Sequence, residues 1–346
     1  MKMNPLGRTG LTVSELCLGT MTFGTQTTEA DGHRQMDAAL AAGLNFVDTA
    51  EMYPVNPIRA ETIGRTEEIL GTWHAAHPAK RADYILATKH SGEGSQSRGG
   101  APITSESIRE TLDGSLKRLK TDYVDLYQFH WPNRGSYMFR QNWAYSPTAK
   151  AEDVRQDMAD CLGALQDEID RGTIRAFGLS NESAWGTAQW LRLAEEGKGP
   201  RVASIQNEYS LMCRLYDTDL AELSIAEDVG LLAFSPLATG LLTGKYKDGV
   251  VPEGSRRSIS PNLGGRSGER AFAAADAYVE IARCHDLDPT HMALAWCRTR
   301  PFVASAIFGA TTFDQLEVAL ASVELSLSDD VMTEIAAVHR SHPMPY

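Results

Sequence analysis

A regular alternation constrains this chain more than any other feature. Eight short apolar runs, Leu16–Gly19, Leu44–Asp48, Tyr84–Lys89, Tyr123–His130, Ile174–Leu179, Val202–Gln206, Leu231–Ser235 and Val303–Phe308, are separated by longer polar-apolar stretches. Runs of roughly four to eight residues rich in Val, Ile, Leu, Phe and Tyr read as strands buried on both faces. Helical spacing covers Thr28–Ala42, Thr104–Lys120, Asp153–Arg171, Ser183–Glu196, Asp219–Val229, Glu269–His285, Thr312–Ser322 and Ser328–Val338. In the second of these, Thr104-Ser-Glu-Ser supplies N-cap chemistry, and Ile108, Leu112, Leu116 and Leu119 form one stripe. Gly43 and Gly172 stand where the first and third should stop. Strands alternating with helices predict parallel pairing through crossover helices. Eight such units close naturally into a (β/α)8 TIM barrel, an α/β fold. The rival, an open doubly wound sheet, is disfavoured because no GxGxxG follows the first strand.

The first eleven residues, ending Gly-Arg-Thr-Gly-Leu, read as an N-terminal hairpin ahead of the barrel. A barrel takes about 250 residues, and the chain has 346. Much of the surplus falls in two non-periodic stretches, Trp131–Glu152 after strand four and Thr239–Gly268 after strand seven. Both follow strands, so both belong to the face where a barrel builds its site. The expectation is a single domain over 1–346. Lys and Arg number 33 against 45 Asp and Glu, a net charge of −12. That argues against nucleic acid or an anionic membrane surface as partner. No window is apolar enough to span a bilayer, and the N-terminus lacks a signal-peptide core. Five scattered cysteines without a CxxC predict no disulfide framework, no metal site and a reducing cytoplasm.

The chemistry emerges from the strand C-termini. Strand two ends at Asp48, strand three at Lys89 and strand four at His130, with Tyr53 five residues beyond the Asp. Any one of these has an ordinary structural explanation. Three adjacent strands delivering Asp, Lys and His to one barrel mouth form a set. A phenol with pKa ≈ 10 donates poorly near neutrality, and a nearby ammonium favours its ionised form. Asp48 would hold Lys89 charged, His130 would orient a carbonyl, and Tyr53 would protonate its oxygen as hydride reaches the carbon. The hydride must come from a nicotinamide cofactor. A Schiff-base role for Lys89 is the rival enzymatic reading, and its pairing with Asp48 argues against it.

These residues resemble the aldo-keto reductase superfamily. The match runs through LCLGTMTFG at 16–24, NFVDTAEMYP at 45–54, ATKH at 87–90, LKRLKTDYVDLYQFHWP at 116–132, IRAFGLSN at 174–181, IQNEYSLMCR at 205–214, FSPLATGLLTGKY at 234–246 and FGATTFDQLEVAL at 308–320. The segment AEMYPV and the loop after strand seven are most similar to the bacterial Tas-type branch, near the potassium-channel β-subunit branch. The resemblance implies a tetrad of Asp48, Tyr53, Lys89 and His130, and NADP(H) lying across the barrel mouth. It places the nicotinamide against Ser180, Asn181 and Gln206, with Phe234 where the family stacks a Tyr or Trp. It assigns Ser235, Pro236, Leu237, Gly240, Leu241 and Lys245 to the pyrophosphate loop, with Arg256 or Arg257 as a further phosphate contact. Gly309, Ala310, Thr311 and Gln315 match the adenosine segment. Two positions depart from the pattern: Ala319 stands where an Asn often contacts adenine, and Glu317 where a basic residue favours a 2′-phosphate. NAD use therefore stays open beside NADP.

Met21, Phe23 and Trp131, with the aromatics of the 131–152 loop, are the expected substrate wall for an apolar or ring-bearing carbonyl compound. His90, next to Lys89, either lines that pocket or points outward. The expected activity is NADP(H)-dependent, reversible reduction of aldehydes and ketones to alcohols. The alternative is a redox-sensing, NADPH-binding regulatory subunit whose turnover is incidental.

Overall fold

A computed structural model describes residues 1–346. Two short antiparallel strands, β1 (Met3–Pro5) and β2 (Thr12–Ser14), precede eight parallel strands: β3 (Leu16–Gly19), β4 (Phe46–Asp48), β5 (Ile85–His90), β6 (Val124–Phe129), β7 (Ile174–Ser180), β8 (Val202–Glu208), β9 (Gly230–Phe234) and β10 (Val303–Phe308). The eight pair in chain order, and β10 closes on β3 with Ala306 opposite Leu16. This is the (β/α)8 barrel with its N-terminal hairpin, and every predicted strand is present.

Inside the barrel, Cys17, Phe46, Ile85, Ala87, Leu126, Ala176 and Leu232 fill the lower layers. Leu6, Leu11 and Val13 of the hairpin plug the bottom. Period-two alternation then carries polar side chains up the same inward faces: Phe46 to Asp48, Ala87 to Lys89, Leu126 to Gln128. A larger apolar core lies between barrel and helices.

The helices are α1 (Glu29–Ala41), α2 (Arg65–Ala76), α3 (Ser105–Leu119), α4 (Ala151–Asp170), α5 (Ala184–Glu195), α6 (Asp219–Glu227), α7 (Arg256–Ile259), α8 (Glu269–Cys284), α9 (Pro289–Arg298), α10 (Phe313–Ala321) and α11 (Asp329–Ser341). Thr104 caps α3 reciprocally with Ser107, as its sequence implies. Periodicity alone misses α2 and α9. The buried side of α2 includes Thr66, Glu67, Gly71 and His74, so it does not look apolar. In α9, Met292 to Cys297 are buried all the way round, leaving no contrast between faces. The stretch 239–268 contains the four-residue α7 and short 3₁₀ turns. No helix is long and apolar enough to cross a membrane.

Candidate active site

The four predicted side chains converge at the C-terminal mouth of the barrel. Lys89 is fully buried, and its Nζ donates to Asp48 Oδ2 at 2.5 Å and to the Thr49 carbonyl at 2.7 Å. The other carboxylate oxygen accepts from Gln128 Nε2 (3.1 Å) and Gln206 Nε2 (2.8 Å), and Gln206 also donates to Gln128 Oε1. The buried Asp48 carboxylate therefore has partners on β5, β6 and β8. The Tyr53 ring lies over Lys89, with Nζ 4.9 Å from its centroid, and stands edge-on to His130 at 5.7 Å.

This packing sets the protonation states. Burial opposes the charge on Lys89, but Asp48 and Tyr53 outweigh it and hold the ammonium above its usual range. A lysine so held is no nucleophile. Burial pushes the Tyr53 phenol above its ordinary value, against the opposing pull of Lys89. The simple expectation of a lowered phenol is thus corrected: Lys89 acts in the expected direction, but desolvation is larger. Burial, reinforced by Lys89, holds His130 well below its ordinary value, so its ring is neutral.

A cavity of about 1260 Å³ opens above these groups. Asp48, Tyr53 and His130 line it, and Lys89 supports them from beneath. Met21, Trp131, Ser180, Asn181, Gln206, Phe234, Ser235, Pro236, Leu237, Gly240, Lys245, Arg256, Gly309, Thr311 and Gln315 also line its walls. Three predicted contacts do not. Phe23 is fully buried in the outer core beneath Gly32, where α1 covers it. Leu241 and Ala310 also belong to that core. Arg256 faces the cavity, whereas Arg257 lies over the Phe272 ring at 4.7 Å. Glu317 is exposed and off the wall, while Val318 and Ala319 are on it. His90 points outward: it is wholly buried, with Nε2 2.9 Å from Ser107 Oγ on α3.

Other residues that brace or line the site escaped sequence reasoning: Gln128 braces Asp48, and Glu208 holds two loops of the cavity rim. Gln128 and Glu208 each stand two positions before or after a predicted residue, His130 and Gln206, so period-two alternation alone could have found them. Asp314 lines the cavity beside Thr311 and Gln315, and only its position at the start of α10 marks it. Glu208 holds Arg266 at 2.7 Å and Arg140 at 3.1 Å, and accepts from the Tyr346 hydroxyl at 3.1 Å. Arg134 pairs with Glu182. Lys245 and Arg256 have no carboxylate partner; burial lowers both, Arg256 to about 10, and each remains a cation at neutral pH. No group of three or more His, Cys, Asp or Glu is placed to share a metal ion.

Residues 15–340 match the Aldo/keto reductase family. The chain belongs to this family. It is an oxidoreductase of the aldo/keto reductase type. It is 47% identical to "Protein tas" of Escherichia coli (strain K12), over 100% of this chain and 99% of that one. It is 32% identical to the "Uncharacterized oxidoreductase YrpG" of Bacillus subtilis, over 96% and 94% of the two chains. It is 33% identical to a "Probable voltage-gated potassium channel subunit beta" of Oryza sativa subsp. japonica, over 99% and 98%.

Proposed function

We propose that this aldo/keto reductase interconverts aldehydes or ketones with alcohols, using NADP(H), with NAD(H) as the alternative cofactor. The observation that carries the reading is the Tyr53 ring packed over a fully buried Lys89–Asp48 pair, at the floor of a cavity large enough for a dinucleotide and a small carbonyl compound.

The wall residues fit a nicotinamide dinucleotide. Asn181 donates through Nδ2 to the His130 carbonyl, leaving its buried Oδ1 without a partner, a free acceptor for a carboxamide. Gln206 is committed through Nε2 to Asp48 and Gln128, so its part is to fix that floor. Phe234 offers a ring face. Lys245 and Arg256, cations without carboxylate partners, suit phosphate groups. Gly309, Thr311 and Gln315 suit the adenosine end, where the Thr311 N–H donates to Gln315 Oε1 at 2.9 Å. Bound there, the cofactor supplies a hydride to the carbonyl carbon.

The protein's share is proton transfer and positioning. Tyr53 gives its proton to the carbonyl oxygen. Lys89, fixed by Asp48, stabilises the phenolate left behind, so the phenol, raised by burial, needs the charge beside it to act as an acid. Neutral His130 orients the oxygen. Trp131 and the exposed Phe139 and Tyr145 give the outer cavity flat apolar walls suited to ring-bearing substrates.

Replacing Tyr53→Phe tests this. We expect turnover of a carbonyl panel to fall by about 10²–10⁴-fold, the usual worth of a general acid, with NADPH binding by fluorescence titration unchanged. Undiminished turnover overturns the role of Tyr53. The similarity to a channel β-subunit supports a second reading, a cofactor-binding regulatory subunit. Turnover at ordinary reductase rates on any carbonyl of the panel would set that reading aside.

A further inference from the structure

Two long loops bound the cavity over Tyr53, and each brings an arginine to its wall: Arg140 from the loop after β6 and Arg266 from the loop after β9. Both reach Glu208, but they are held differently. Arg266 is 5% exposed and grips the carboxylate with two donors, Nε to Oε1 at 2.8 Å and Nη2 to Oε2 at 2.7 Å; its Nη1 donates to the Leu263 carbonyl. The Tyr346 hydroxyl takes a further place on Oε1. Arg140 is left with one bond to that carboxylate, from Nη1 to Oε2 at 3.1 Å. Its Nε and Nη2 donate to no atom of the protein and stay open to solvent, in a side chain 19% exposed. Nε and Nη2 share one edge of the guanidinium, with the spacing that matches both oxygens of a carboxylate.

One carboxylate thus serves two cations, and the charge left over is that of Arg140. Burial, and then the Arg266 charge, act against the Arg140 cation by more than Glu208 restores. Of the other carboxylates on the wall, Asp48 is tied to Lys89, Asp288 caps α9 and Asp314 opens α10; none pairs with Arg140. Arg134, on the same loop as Arg140, is matched by a carboxylate of its own, Glu182. The approach to the free edge is aromatic. The Trp131 ring packs 5.0 Å from that of His130, the Phe139 ring stands edge-on to Trp131 at 6.1 Å, and Arg140 is the next residue. Phe139 and Arg140 both adopt left-handed backbone, with φ of 55° and 64°, which is uncommon for residues other than glycine. Both line the cavity. A row of rings therefore leads from the reacting end to an unbalanced cation.

We propose that the substrate is a carbonyl compound carrying a carboxylate, with a ring between the two groups, and that the free edge of Arg140 receives the carboxylate. The inference rests on the reductase reading above and names the class of compound it acts on. The carbonyl oxygen meets Tyr53 and His130, the ring lies along Trp131 and Phe139, and the anion supplies the charge that Arg140 lacks. Arg140 is then the residue that selects acids over neutral carbonyl compounds of the same shape.

The test compares 4-formylbenzoate with methyl 4-formylbenzoate, the same aldehyde with its charge removed. Binding to the full-length protein is measured by isothermal titration calorimetry with NADP+ present, and turnover by NADPH consumption. We expect the wild type to bind the acid at least about ten-fold tighter than the ester, the worth of one charge-assisted hydrogen bond, and to show the lower KM for the acid. This comparison needs no variant to fold. Arg140→Gln should erase the preference, and Arg140→Lys should keep part of it. Arg266 retains both of its bonds to Glu208 in these variants, so no buried carboxylate is stranded. Equal binding of acid and ester by the wild type, failure of the acid to bind, or a preference that survives Arg140→Gln overturns the proposal. Weaker NADPH binding in Arg140→Gln with the preference intact would assign the free edge to a cofactor phosphate instead. Binding of the acid that depends on Arg140, without turnover of either aldehyde, would bear out the anion site and set the reductase reading aside.

Discussion

Among single residues, the informative cases are those whose environment reverses a first expectation. Lys89 is a buried cation that stays charged because Asp48 lies 2.5 Å away and Thr49 offers a carbonyl. His90, the next residue, faces the other way and is buried as a neutral ring. Its Nδ1 lies 3.0 Å from Arg98 Nη2, a group that can only donate, so the ring accepts there. Burial, then Arg98, lower its pKa from 6.5 to about 3. A folded pKa below the unfolded value means that the unfolded chain takes up the proton first. The stability this contributes is present above pH 6.5 and is lost as pH falls from there toward 3. His74, lowered to about 4 chiefly by burial, acts in the same direction. Urea unfolding should therefore weaken on the acid side by up to about 1.4 kcal/mol per pH unit for each group. His90→Asn should flatten that decline; an unchanged slope would show that His90 does not contribute to it.

Between elements, close packing and local charge decide more than propensity. Gly71 lies in the middle of α2, where alanine would improve helix propensity by about 1 kcal/mol. A Cβ there would strike the Arg118 carbonyl of α3. Gly71→Ala should therefore destabilise the fold by about 1–3 kcal/mol, the cost of overpacking, read as a lower urea midpoint. A gain in stability would mean that α2 and α3 separate freely. At α10 the issue is charge. Asp314 and Ala319 line the end of the cavity proposed for adenosine, with Glu317 beside it, and none of the three is a cation. The double substitution Glu317→Lys with Ala319→Asn should tighten NADPH binding over NADH by a few-fold, since exposed ion pairs contribute about 0.2–1 kcal/mol. Fluorescence titration of both nucleotides measures it, and an unchanged ratio would place the selectivity elsewhere, at Arg256.

For the whole molecule, Glu208 joins distant parts of the chain. Burial opposes its charge, but Arg266 and Arg140 outweigh it and hold the carboxyl below its ordinary range. Arg140 belongs to the long loop after β6, Arg266 to the one after β9, and Tyr346 to the C-terminal segment. Glu208→Gln leaves two guanidinium groups without their carboxylate. Breaking a buried pair costs about 3–5 kcal/mol, so thermal unfolding should move clearly downward. Nucleotide should also dissociate faster in stopped flow, because both loops frame the cavity. Unaltered release would mean that the loops are held by their apolar contacts instead.

The barrel was legible in the sequence because each strand repeats one local rule, an apolar run ended by turn chemistry, and because parallel strands place their C-termini at one end. Asp48, Lys89 and His130 follow from that rule alone, with Tyr53 close behind in the chain. The rule fails where a helix buries polar atoms or is buried all round, as in α2 and α9, and where a role depends on partners far along the chain. That the Gln206 amide braces Asp48, that Phe23 serves the core, that Arg256 and not Arg257 faces the cavity, and that Glu208 gathers two loops are decided only in three dimensions. Alternation fixes the face on which a side chain stands. Desolvation and pairing, which set its charge and its task, depend on neighbours that only the folded barrel brings together.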